Sequence, residues 1–384
     1  MKTIMKSYAA LLLFFCAVFL FGAAALPGQW KGTISEKNGV TTVKNPKKPI
    51  HAGQVLKLTE ELRVGSSEGK PEYVLGAVEG IAVDGKGNLY IADKKNFHIQ
   101  VFDDKGVYLR TVGREGQGPG EIGSLYDVFI NTKGEVLVPD GKRYLLHVYS
   151  PTGAFVRDVS FGGIFPMQSA LGADDGLFVL NFGGSHETGT YFELVRLNTD
   201  LKPISVVDRI DIPPGPLRFS LGDKIPVFFP RTDGRFVVGY SRPDEYRFEI
   251  RESGGKTLKI VTRDFDPVPI PRELIEKAKQ ARSGNIQTDL PTTYPPHFRI
   301  VADEQGRTFL CRPSQDMESK IYSWDVFDGD GRYLAVIGLP GSSRLLHNMN
   351  NCLLWKNGKL YTVEEDEEGY HTVKRYKAEW TLGK

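Results

Sequence analysis

Between Val78 and Gly120 the chain runs VEGIAVDGKGNLYIADKKNFHIQVFDDKGVYLRTVGREGQGPG. Apolar and aromatic residues alternate with polar ones in short runs, and each run stops at a cluster of Asp, Gly, Lys and Asn. Alternation with a period of two marks strands that bury one face. Glycine supplies the positive φ that tight hairpins need, and Asp bonds its own backbone in the same turns. The segment therefore divides into four antiparallel strands, Glu79–Val83, Asn88–Ala92, Phe97–Phe102 and Val107–Val112. A Gly-rich connection, Gly113–Gly120, carries the chain onward.

The same unit recurs five more times with decreasing clarity: Leu125–Phe161, a third from about Pro166, Ile225–Phe265, His297–Gly338, and a sixth from His347. The opening turns fall at Gly87, Gly134, Gly176, Gly234, Gly306 and Gly358. The sixth unit stops one strand short, while Gly53–Val64 alternates as a strand with no partners of its own. The economical solution is ring closure. The expected architecture is an all-β, six-bladed β-propeller of four-stranded antiparallel blades over residues 51–384, with the N-terminal strand completing the last blade. Such closure removes open sheet edges. One stretch breaks the pattern. Residues 266–296 read as an insertion between blades four and five, with a helix over Pro271–Arg282, a stop at Gly284 and a Pro-rich loop.

These residues resemble the NHL-repeat and related six-bladed propellers of bacteria. The resemblance rests on GIAVDGKGNLYIAD, HIQVFDDKG and GREGQGPGEI of blade one; His98 stands where the pattern has arginine. It implies the fold. It does not select a function, because such rings host binding platforms and several unrelated enzymes.

Residues 1–25 have the form of a signal peptide: Lys2 and Lys6, an apolar run Tyr8–Phe21, then Ala23-Ala24-Ala25. A secreted or periplasmic protein follows, with an uncleaved membrane anchor as the alternative. No later segment is apolar enough to span a membrane. Residues 26–50, rich in Gly, Lys, Thr and Pro, read as a linker. Of 49 basic residues two lie in the leader, so the remainder equals the 47 acidic ones. That balance argues against a nucleic-acid partner. With Cys16 in the leader, Cys311 and Cys352 remain, too few for a disulfide framework; they read as buried thiols. A monomer is expected.

On such a ring, the loops leading into the innermost strands share one face with the loops between second and third strands. Register places Glu79, Asp127, Gln168, His297 and His347 at the former. Arg143, Arg242 and Arg312 fall at the latter. This polar ring is the expected ligand site, for a protein, peptide or glycan, on a non-catalytic platform without a cofactor. The alternative is a metal-assisted lyase or lactonase. There His297 and His347, with Glu79 or Asp127, hold one divalent ion (Zn or Ca). Among similar propellers, amidating lyases hold zinc with three histidines, and this chain supplies two at matching places. Gluconolactonases use a carboxylate and amide set. Asn350 and Asn351 lie beside the start of blade six, where register alone does not place them. Asp93 and Asp140 occupy equivalent slots in blades one and two, as loop caps do.

Overall fold

A computed structural model describes residues 29–66, 68–185, 187–214, 226–240, 242–280, 291–314, 320–342 and 351–382. Strands form where the alternation predicts them. Blade 1 comprises Val78–Val83, Leu89–Asp93, His98–Phe102 and Tyr108–Val112. Its first two strands are buried throughout, while the fourth is half exposed, as the outermost strand of a wedge-shaped sheet must be. Blades 2, 3 and 5 repeat the same four-stranded antiparallel order. Innermost strands touch across the seams of blades 1 and 2, 3 and 4, 4 and 5, and 5 and 6, and that of blade 6 (Leu353–Lys356) touches that of blade 1. The result is a six-bladed β-propeller.

The ring closes as the spare strand implied. Leu56–Val64 lies antiparallel to His371–Trp380, paired from Val64 opposite Val373 to Leu56 opposite Trp380 with one register shift between Arg375 and Tyr376. It completes blade 6 from the opposite end of the chain. The core is correspondingly continuous here. Val55, Leu56 and Val64 bury against Trp355, Leu360, Val363 and Val373, and Phe309 of blade 5 stacks on Trp355 with ring centroids 5.2 Å apart.

Three local expectations are corrected. The segment read as a linker is, from residue 29 on, an ordered strap. Thr33–Lys37 and Val40–Asn45 form a hairpin, and the second strand adds in parallel to the outer strand of blade 4, Thr257–Arg263, making that sheet six-stranded. The chain then crosses to blade 5, where Ile50 and His51 donate their amides to the carbonyls of Tyr333 and Leu334. In blade 3, Gly183–Thr190 is no loop: the second and third strands extend to Ser185 and from Gly189. In the same blade the left-handed turn residue is Asp175 (φ 63°) instead of Gly176, a shift of one residue. The inserted helix is present as Arg272–Gln280. Gly284, the signal peptide and His347 lie outside the described residues. Among the described residues no helix is long and apolar enough to cross a membrane.

One side chain fastens the strap. Asn45, 3% exposed, accepts from the Trp30 indole (2.9 Å) and the Tyr333 amide (2.8 Å), and donates to the carbonyls of Thr262 (3.1 Å) and Gly331 (2.9 Å). A primary amide has two donor hydrogens and one acceptor oxygen, and all are used. Removing them leaves buried backbone groups of blades 4 and 5 unpaired, at about 1–3 kcal/mol for each such group. We expect Asn45→Ala to lower the urea unfolding free energy by about 2–3 kcal/mol, and a loss below half a kcal/mol would show that the strap is not a fastening.

Candidate functional site

The residues expected at one channel mouth separate into three places. Glu79, Asp127 and Gln168 lie at the heads of the innermost strands of blades 1–3, and all are buried. Asp127 Oδ2 accepts from the Asn351 side-chain amide (3.1 Å), and Oδ1 accepts from the Val128 amide (2.8 Å). Asn351 also accepts the Ile81 amide at its carbonyl (3.0 Å), so this one residue ties the head of blade 6 to blades 1 and 2. The approach is close enough that a Cβ on Gly80 would sit 2.5 Å from Asp127 Oδ1, which requires glycine there. Glu79 pairs at 3.5 Å with Lys94. Desolvation pushes the Asp127 carboxyl up to about 8, an effect that the nearby Arg299 guanidinium opposes.

Arg143 is a clamp. It donates to the Gly118 and Glu121 carbonyls (3.0 and 2.6 Å) and pins the Gly-rich connection between blades 1 and 2. Asp93 and Asp140 cap the loops leading into their own blades, through the Gly76 and Ala77 amides and through Gly123 and Ser124 respectively. Arg242 lines a cleft of about 280 Å³ between blades 3 and 4, where Asp244 and Glu245 already neutralise it.

Arg312 and His297 belong to the seam between blades 4 and 5. Asp325, in the third strand of blade 5, is fully buried there. Its carboxylate accepts from the hydroxyls of Tyr333 (2.6 Å) and Tyr246 (2.7 Å) and from Arg312 Nε (2.8 Å), and it forms an ion pair with Arg263 Nη2 at 3.2 Å. Three donors and one further cation suit an ionised carboxylate, which has roughly four lone-pair positions. Burial first, and the Asp325 charge second, drive both tyrosine hydroxyls well above their ordinary range, so they stay protonated as donors. Arg263 is held between the Tyr246 and Tyr333 rings, with centroids 4.2 and 4.8 Å away. His297 packs edge-on against Tyr246 (5.7 Å), and its Nε2 lies 3.4 Å from the Arg247 carbonyl. Burial pulls the imidazole down to about 4, so it is neutral at physiological pH. Among the described residues no group of three His, Cys, Asp or Glu side chains is placed to hold a metal.

Above this network a recess of about 510 Å³ opens along the seam. Its walls come from the strap (Lys47–Pro49), the connection after blade 4 (Phe265, Val268), and Arg312 and Pro313 beyond the second strand of blade 5. A second cavity, about 550 Å³, lies at the opposite mouth of the channel and is ringed by the first turns of all six blades. Its carboxylates are engaged within those turns: Asp84 with the Lys86 and Asn88 amides, Asp303 with those of Gln305 and Arg307, and Asp175 with Thr132.

Known proteins carry the same architecture. A family profile described as a 6-bladed beta-propeller (DUF5128) matches residues 65–207, which span blades 1 and 2, most of blade 3 and the turn before them. The likeness is one of fold. A candidate exported protein of Bacteroides fragilis is similar at a TM-score of 0.52 and 13% identity, covering 88% of this chain and 99% of its own. A DUF4221-family protein of Bacteroides vulgatus is similar at 0.52 and 12%, covering 85% and 99%. A gluconolactonase of Xanthomonas campestris is similar at 0.47 and 12%, covering 79% and 87%. No curated protein matches by sequence.

The channel mouth makes a pH prediction. A carboxyl with an ordinary value of 3.8 unfolded and about 8 folded binds more protons when folded between those limits, so its contribution to stability falls as pH rises through that window. His297, lowered to about 4 from 6.5, acts oppositely but only below pH 6.5. Between pH 6.5 and 8 the Asp127 contribution is left unopposed by the imidazole. We expect Asp127→Asn to flatten the wild-type fall in melting temperature over that interval, a slope of up to about 1.4 kcal/mol per pH unit. Superimposable wild-type and variant profiles from pH 6.5 to 8 would refute it.

Proposed function

We propose that this chain is an exported, non-catalytic propeller that binds a ligand on the face carrying its second-to-third loops, with the blade 4/5 recess as the principal site. The observation that supports this most directly is that recess. Its volume falls within the roughly 300–1,000 Å³ of ordinary ligand pockets, and its floor is a polar network centred on the Asp325 carboxylate. Pre-organised polar groups under an apolar-walled concavity fix a ligand's orientation without ordering costs at the moment of binding. The channel mouth supports the site less well, because Asp127 is already bonded to Asn351 and Glu79 to Lys94. The ligand classes in view are those of an exported platform: a protein segment, a peptide or a glycan. Export itself rests on the N-terminal Lys-apolar-Ala pattern.

The test uses the mature chain from Leu26 in a thermal-shift screen of small molecules, short peptides and oligosaccharides. A ligand that binds only the folded state raises the melting temperature. Ser323 lines the recess and is exposed, so Ser323→Trp puts a bulky ring into the space and leaves every side chain of the network unsubstituted. We expect that variant to keep its unliganded melting temperature and to lose the ligand-induced rise. A ligand whose effect survives the substitution moves the site elsewhere. Stoichiometric metal in the purified protein, lost in His297→Ala, would replace this reading with the metal-assisted enzyme.

A further inference from the structure

The charges around the blade 4/5 recess do not balance. Two guanidiniums, Arg263 and Arg312, share the single carboxylate of Asp325. The strap adds Lys47 and Lys48, and among the described residues lining the recess only Asp266 answers, bound to Lys47. Among the described residues, four cations against two carboxylates leave two positive charges in excess. The Arg263 side chain is 7% exposed, and its Nε has no hydrogen-bond partner. An unmatched cation out of water is costly, and a bound anion offsets that cost.

Arg312 is the group that reaches the recess. Its backbone is held by the Ser323 carbonyl (2.9 Å), its Nε by Asp325 and its Nη2 by the Tyr333 hydroxyl (2.9 Å). Among the described residues nothing engages Nη1 or the second hydrogen of Nη2, which together form the end-on edge of the guanidinium. That edge suits two parallel N–H···O bonds to a planar two-oxygen group. The side chain is 32% exposed and lines the cavity, so the edge is accessible. Around it the walls are largely apolar, with Phe265, Val268, Pro296 and Pro313.

We propose that the recess binds an organic acid, its carboxylate seated on Arg312 and its apolar body against Phe265, Val268 and Pro313. This rests on the binding reading above and narrows it to one ligand chemistry. A single fork-shaped edge matches a carboxylate. A phosphate dianion wants more donors than the edge offers. Asp325 fixes Arg312 in place, so the guanidinium is pre-organised and loses little side-chain entropy on binding.

The experiment titrates the mature protein with phenylacetate, with its neutral isostere phenylacetamide and with inorganic phosphate, by calorimetry and thermal shift at millimolar concentrations. We expect phenylacetate to bind saturably and at least about tenfold more tightly than the amide or phosphate, the difference of one charge-assisted pair. Arg312→Ala leaves Asp325 with Arg263 and both tyrosines, and should weaken phenylacetate about tenfold or more. Arg312→Lys keeps the charge, loses the fork and should lie between. Three results overturn the proposal. If the amide binds as tightly as the acid, the recess remains a ligand site but not one for anions. If phosphate binds more tightly with the same Arg312 dependence, the site is anionic but not for organic acids. If none of the three binds to folded wild-type protein, the recess reading falls as well.

Discussion

The hydrogen-bonded ladder between Leu56–Val64 and His371–Trp380 is the constraint on which everything else hangs. Each blade is a wedge that buries both faces against its neighbours, so no blade is stable until the ring is complete. The last seam joins residues some three hundred positions apart. It pays a large loop-closure entropy, which grows only slowly with length once the chain is long. The structure reinforces that seam in depth. The same N-terminal stretch that completes blade 6 has first lain along blade 4 through Val40–Asn45, then along blade 5 through Ile50 and His51. Three consecutive blades are thus held by one continuous segment.

Blade 1 was legible because its strands alternate cleanly and its turns use glycine where φ must be positive, as at Gly87 and Gly106. The spare strand was legible by counting. The hairpin at Thr33–Asn45 was not, for a physical reason. All five residues of its outer strand are exposed, and only Val43 and Asn45 of the inner strand are buried, so no alternation of hydrophobicity marks it. Its specificity lies in backbone pairing and one amide. The slip at Asp175 is similar: Asp tolerates the left-handed region, and the following Gly176 lies so near the Leu197 carbonyl that a Cβ would come within 2.6 Å.

The site was partly legible. Register placed Asp127, Glu79 and Arg312 at the correct ends of their strands, but register within a blade does not say across which seam a long side chain reaches. Arg312 and His297 therefore turned out to serve the blade 4/5 network, and Arg143 a loop clamp. Asp325 and Arg263 were missed. Asp325 carried a signal, since an acid between Trp324 and Val326 in the middle of a buried strand demands partners. Arg263 carried less, because an arginine closing an outermost strand is ordinarily a solvated end.

The seams are not equivalent, and that inequality sets the larger blade 4/5 recess apart from the smaller cleft between blades 3 and 4. Between blades 6 and 1 the join is made by His371, whose Nδ1 accepts the Val78 amide at 2.8 Å. Between blades 1 and 2 a carboxylate lies directly over Gly80. Both are compact devices that bring the strands close and leave little room. Between blades 4 and 5 the filling is two tyrosines, two arginines and an aspartate, bulky groups whose hydrogen bonds hold them at fixed spacing. Large polar side chains in a defined network prop a seam open more rigidly than apolar packing of the same volume, because each bond length is fixed and each loss leaves a buried charge. The strap then roofs the opening with Lys47–Pro49, held by Asn45 on one side and by the Ile50 and His51 amides on the other, and runs on into the ring-closing strand of blade 6. Closure and recess are therefore one construction: the segment that fastens the ring also supplies the cationic wall of the cleft.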